Sequence, residues 1–144
     1  MIIYTIGFTK KNAEQFFNRL KQPGLNKIID ARLNNVSQLA GFTKKDDLRF
    51  FLKEILDIGY THLPILAPTQ EILDDYKKNN GDWSNYEKRF LELLQNRKIE
   101  SVVSQSVFDG GCLLCSEPTP EKCHRRLVAE YLKLKWKNVE IVHL

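Results

Sequence analysis

The sequence predicts one α/β domain over residues 1–144, built on a mainly parallel sheet with helices on both faces. Two patterns predict it. Short β-branched or aliphatic runs, closed by glycine, proline or a polar cluster, alternate with longer segments whose apolar residues recur at helical spacing. Alternation of this kind marks strand–helix–strand crossovers, which bury a parallel sheet between helical layers. A third observation is size. With 144 residues, 42% of them hydrophobic and 28% charged, the chain can enclose a core without disulfides or metal.

Each element follows from its residues. Residues 2–6 read as the first strand, stopped by Gly7. Thr9 is placed to cap a helix that carries Ala13, Phe16, Phe17 and Leu20 on one face and ends at Pro23-Gly24. Residues 26–30 form a second strand, closing at Asp30-Ala31-Arg32. The polar stretch Leu33 to Phe42, with Asn34, Asn35 and Gln38, is a loop. Thr43 with Asp46 marks a helix whose face is Leu48, Phe51, Leu52, Ile55 and Leu56. Residues 61–63 make a short strand before Pro64. Glu71 to Tyr76 is helical, Lys77 to Gly81 is a loop, and Ser84 with Glu87 matches a capping box ahead of Phe90, Leu93 and Leu94. Ile99 to Val107 fits either a strand or a short helix. Residues 112–115 are a strand, Thr119-Pro120 opens a helix running to about Lys135, and 139–143 is the last strand.

Composition excludes several function classes. No apolar run approaches the ~18 residues of a membrane span, so no membrane partner is expected. Met1-Ile2-Ile3-Tyr4 has no basic leader with a cleavage site, which points to a cytoplasmic protein. A net charge of +4, from 22 basic and 18 acidic residues, tolerates a polyanionic partner without demanding one. The cysteines are Cys112, Cys115 and Cys123, an odd set that argues against a disulfide framework. The chain has no glycine-rich phosphate loop, Gly-x-Ser-x-Gly elbow or His-Glu-x-x-His motif, and no cofactor is expected. No pattern specifies an oligomeric state.

Ligands of parallel sheets gather beyond the carboxyl ends of the strands. The residues predicted there are Gly7, Thr9, Asp30, Arg32, His62, Cys115 and Glu117. The densest polar stretch, Cys115 to Arg126, joins a strand end to a helix start, where free N–H groups and the helix dipole favour an anion. On a helical wheel His124 falls with Leu127, Val128 and Tyr131, Arg125 lies at the border of that face and Arg126 outside it. Arg32 and Arg125 are therefore the expected anion-binding pair. Cys115, Glu117 and His124 are the candidate catalytic groups, a thiol to attack or exchange electrons and two groups to move protons. Cys123 is either a reactive thiol at a helix start or a small packed residue. Cys115 and Cys123 are the thiols expected to approach each other, with no disulfide in reducing conditions. Zinc is not expected, because strand alternation sends Cys112 and Cys115 to opposite faces and that pair cannot grip one ion.

Leu113-Leu114-Cys115-Ser116-Glu117-Pro118 with Cys123-His124-Arg125-Arg126 resembles the bacterial and archaeal family called domain of unknown function family 488. Tyr4-Thr5-Ile6-Gly7 is similar to its opening strand, and Asp30-Ala31-Arg32 to its Asp-Val-Arg step. His62-Leu63-Pro64 with Leu66-Ala67-Pro68-Thr69, Gly81-Asp82-Trp83 with Tyr86, and Val139 to His143 also fit. Phe8 stands where the family has a histidine, so any role of that histidine is lost. The resemblance implies an α/β fold and a shared polar edge, with no defined reaction. Two functions are compatible with these residues. One is a pocket for a small anionic ligand such as phosphate, sulfate or carboxylate. The other is a nucleic-acid-associated module with Arg32 and Arg125 on phosphates and Asn34, Asn35 and Gln38 near bases. The first requires a concave pocket and the second a continuous basic surface; the pocket is the preferred expectation.

Overall fold

Alternating side chains divide the sheet into two apolar faces. In β1 (Ile2–Gly7), Ile3 joins one core cluster while Tyr4 and Ile6 join the other. In β2 (Lys27–Asp30) Ile29 opposes Ile28 in the same way. The structure, a computed structural model, describes residues 1–36 and 40–144, so Gln38 lies outside the described residues.

The face of Tyr4 and Ile6 is covered by α1 (Ala13–Arg19) and α2 (Lys45–Phe51), through Phe16, Phe17 and Leu48. After α2 comes β3 (Gly59–His62). The face of Ile3 and Ile29 is covered by α3 (Gln70–Lys78) and α4 (Trp83–Arg97), through Ile72, Phe90 and Leu94. The ambiguous segment resolves as two short helices, α5 (Ile99–Val102) and α6 (Gln105–Phe108). They lead into β4 (Gly111–Cys115), where Leu113 opposes Cys112 and Leu114. Next, α7 (His124–Lys135) packs Leu127 and Val128 on the Ile3 face before β5 (Glu140–His143).

The five strands form one sheet in the order β3-β2-β4-β1-β5, parallel at every pairing. This is the α/β architecture expected, with helices on both faces. The central position of β4 explains why all five of its residues are buried, whereas β3 and β5 are partly exposed edges. No helix among the described residues is long and apolar enough to cross a membrane.

Helix starts are where local sequence signals mislead. Asn12, not Thr9, caps α1, in a reciprocal capping box with Gln15. Asp82, not Ser84, caps α4. Thr119-Pro120 stays in a turn, and α7 begins at His124 with Cys123 at the cap position. The residues between are used in folding the chain back over the sheet edge, where the Cys123 amide donates to the Pro120 carbonyl at 3.2 Å. The strand at 61–63 starts earlier, at Gly59, because Gly59 pairs with Lys27 at the base of β2.

Gly7 is required by close packing. A Cβ there would lie 1.6 Å from the Glu117 carbonyl oxygen and 2.9 Å from Arg125 Nη1. Gly7→Ala is therefore expected to destabilise the fold by about 2 kcal/mol or more. At Gly41 a Cβ meets nothing within 4 Å among the described residues, and Gly41→Ala should change stability by less than about 1 kcal/mol. Urea denaturation of both variants checks this, and equal stabilities would contradict it.

Candidate functional site

At the end of β2 the carboxylate of Asp30 is completely buried and fully used. Arg32 Nε donates to Oδ1 at 2.8 Å and Nη2 to Oδ2 at 2.9 Å. The Arg32 amide donates to Oδ1 at 3.1 Å, and the Tyr60 hydroxyl to Oδ2 at 2.5 Å. Burial and the Asp30 carboxylate push the Tyr60 phenol above its ordinary range, so it stays a donor. Arg32 Nη2 also donates to the Thr43 carbonyl at 2.6 Å, and the guanidinium lies 5.4 Å from the centre of the Phe8 ring. Both charges are paired and bonded, which is the condition for burying them. Asp30 is thus spent on holding Arg32. Nη1 has no protein partner among the described residues and belongs to a residue that lines two cavities. His62 Nε2 donates to the Arg32 carbonyl at 2.8 Å and braces this loop from behind, lining neither cavity.

Arg125 occupies a different place from the one its helical position suggested. It is 0% exposed and lies beneath the turn after β4. Its Nη1 donates to the Glu117 carbonyl at 2.6 Å and to Cys115 Sγ at 3.4 Å, and Nε to Thr5 Oγ1 at 3.3 Å. Nη2 is buried with no partner, and no carboxylate pairs with the group among the described residues. Burial lowers the guanidinium to about 10, so it stays charged at neutral pH. The late start of α7 puts Arg125 in the first helical turn, from which the side chain reaches back under the turn. It shapes the site from below and does not line the cavity.

The thiols divide as strand alternation requires. Cys112 is free and buried on the α1–α2 face, where burial pushes its thiol up and leaves it inert. Cys115 and Cys123 are joined in a disulfide, with Cα atoms 7.5 Å apart. The expectation that these two approach each other agrees with the structure. Beside them, His124 donates Nε2–H to the Ala31 carbonyl at 2.7 Å and sets its ring edge-on to Phe90, 5.6 Å away. Burial lowers His124 to about 4, so the imidazole is neutral with its lone pair on Nδ1. The two sulfurs and one imidazole nitrogen all lie within 4.8 Å of one another. The reason given for excluding a metal applies to Cys112 with Cys115 and does not reach this trio, which the 116–123 turn assembles from separate elements.

These groups open onto a cavity of about 470 Å³, within the usual range for small-ligand sites. Arg32, Cys115, Glu117, Cys123 and His124 line it together. Tyr76, Trp83 and Tyr86 make one wall, with Trp83 and Tyr86 stacked at 4.8 Å. Lys77 and Lys122 stand at its exposed margin. Burial raises the Tyr86 phenol, which remains a neutral donor. A second cavity of about 520 Å³ holds Thr9, Lys10 and Lys11 and shares Arg32, Asn34 and Ser116 with the first. Gly7 lines neither and serves the backbone contact described above. The aromatic wall and the two lysines were missed from sequence. Their one local signal was Gly81-Asp82-Trp83, which starts α4 and aims its first turn at the sheet edge.

His124 has a measurable consequence. Its folded value lies below the ordinary 6.5. The unfolded chain therefore takes up a proton that the folded chain refuses, and stability falls as the pH drops from about 6.5 towards about 4. His143, also lowered by burial, acts in the same direction. Urea denaturation at pH 7 and pH 4.5 should show a loss of up to about 3 kcal/mol from His124, reduced in His124→Gln. An unchanged pH slope in that variant would contradict the assignment.

No curated protein and no solved structure matches the chain. A model of the family described as domain of unknown function DUF488 matches residues 12–132. With most of its length covered, and with the Cys-x-Glu and Cys-His-Arg residues at one sheet edge, the chain belongs to the DUF488 family.

Proposed function

We propose that the cavity at the carboxyl edge of the sheet binds a small anionic molecule carrying a phosphate, sulfate or carboxylate group. The supporting observation is that Arg32, Lys77 and Lys122 meet at one concave cavity whose floor is Cys115, Cys123 and His124. The Asp30 fork holds Arg32 rigidly, so the guanidinium loses little entropy on meeting a ligand. The Trp83–Tyr86 wall suits a ligand with a flat or apolar body behind its charged group. In the reduced chain Cys115 is the thiol that such a ligand would meet, with Glu117 and neutral His124 beside it as groups able to carry protons. Arg125 acts here through the turn it supports.

One observation favours a longer polyanion: Lys10 and Lys11 line the adjoining cavity beside Arg32. Nucleic acid nevertheless fits less well, because these basic side chains line concave cavities, which is what a small anion requires; Arg125, interior at 0% exposure, is lost to both readings. Calorimetric titration of the full chain at low salt with pyrophosphate, citrate and a single-stranded oligonucleotide separates the two. Pyrophosphate or citrate is expected to bind, with Lys122→Ala and Lys77→Ala each weakening affinity by roughly 3–10-fold. Arg32→Lys should weaken it at least as much, since an ammonium lacks the planar fork. Binding of the oligonucleotide alone would replace the proposal with the nucleic-acid alternative, and no binding of any probe would refute both.

A further inference from the structure

We infer that in the reduced chain Cys115, Cys123 and His124 form a site for one zinc-type divalent ion, with the fourth coordination position open to the cavity. The donors come from a strand end, a helix cap and the first residue of a helix, and their ligand atoms lie within 4.8 Å of one another. Two thiolates on a tetrahedral ion sit about 3.8 Å apart, given bonds of ~2.3 Å, so the sulfurs joined in the disulfide have to move apart to that distance once it is reduced. The backbone spacing points the same way. The Cα atoms of Cys115 and Cys123 are 7.5 Å apart, wider than the ~4.4–6.8 Å usual for disulfides, and an ion between the sulfurs spans that separation.

Two further contacts are those a metal site needs. His124 donates Nε2–H to the Ala31 carbonyl at 2.7 Å, which fixes the ring and leaves Nδ1 with the lone pair, the common outer bond of a metal-ligating histidine. Arg125, fully buried with one nitrogen unpartnered, donates from another to Cys115 Sγ. A guanidinium so placed favours the thiolate, the form in which cysteine ligates. Two sulfurs and an imidazole select zinc or cobalt over magnesium or calcium. Three protein donors with a fourth position facing a cavity is the pattern of catalytic zinc, since structural sites are closed by four.

The disulfide and the ion compete for the same two sulfurs. A dithiol reductant delivers two electrons and two protons to the disulfide and itself becomes a disulfide. On metal binding the two thiols release two protons to solvent, two metal–sulfur bonds and one metal–nitrogen bond form, and the ion keeps its oxidation state. The site shares Cys115 and His124 with the proposed anion cavity, and an ion there takes both out of thiol and proton-carrying roles; anion affinity rests on Arg32 and the lysines, so the metal titration and the anion titration fail separately.

The test uses the full chain, reduced with excess dithiol, freed of reductant without air, and titrated with Co²⁺ and then Zn²⁺. One Co²⁺ per chain is expected, with thiolate charge-transfer absorption and tetrahedral visible bands that Zn²⁺ abolishes. The same chain in its disulfide form should show neither. Cys115→Ser and Cys123→Ser should remove the charge-transfer signal, His124→Ala should weaken binding roughly 10-fold or more, and Cys112→Ser should leave it unchanged. If Cys115→Ser does not fold, the reduced and oxidised wild type with Cys123→Ser decides the matter. Absence of the tetrahedral spectrum in the reduced wild type, or its full retention in Cys123→Ser, overturns the site.

Discussion

The Arg125 guanidinium, enclosed by β1, β4 and the turn after β4, touches Thr5, Cys115 and the Glu117 carbonyl at once, and the β1–β4 part of the carboxyl edge is arranged around it. Taking such a group out of water costs several kcal/mol. Hydrogen bonds to a charged group return about 1.5–3 kcal/mol each, and less when the acceptor is a sulfur or the bond is long. These terms nearly cancel, so Arg125 contributes geometry more than stability. It draws the Glu117 carbonyl down onto Gly7, and that approach is why no side chain fits at position 7. The pinned turn in turn brings Cys123 back to Cys115.

Arg32 shows the opposite solution to the same electrostatic problem. It sits at the same sheet edge, nearly as buried, but it has a carboxylate partner, and Asp30 is itself completed by Tyr60 and the Arg32 amide. A fully paired ion can be held at the rim of a cavity without a large penalty. An unpaired one is tolerated only where backbone and sulfur acceptors surround it. The two arginines therefore differ in role, one facing the cavity and one supporting its floor.

The floor concentrates soft donors where the sheet edge is most polar. Cys115, Cys123 and His124 share one volume with Arg32, Glu117 and the aromatic wall. Any change in the bonding of the two sulfurs is felt by the turn that carries Glu117 and Lys122. A ligand or an ion held at this edge would therefore act on the same short segment of chain as the disulfide does.

The α/β class, the five strands and the facing of Cys112 away from Cys115 were legible in the sequence, because each follows from local periodicity. Alternation in β4 needs only that the segment be a strand, and the apolar faces of α1, α4 and α7 need only helical spacing. The polar edge was legible as a group, since strand ends in a parallel sheet share one side. Sequence alone did not reveal which helix start would hold, because Thr9, Ser84 and Thr119 carry cap chemistry as good as that of the residues that do cap. Nor did it reveal that Arg125 would turn inward while Arg32 would line the cavity. Those outcomes depend on where Asp30, Tyr60, Thr5 and the Glu117 carbonyl lie in space, residues as far apart in the chain as Thr5 and Arg125. Only the closed sheet and the folded 116–123 turn bring them together, and a buried charge takes whatever partners that closure leaves within reach.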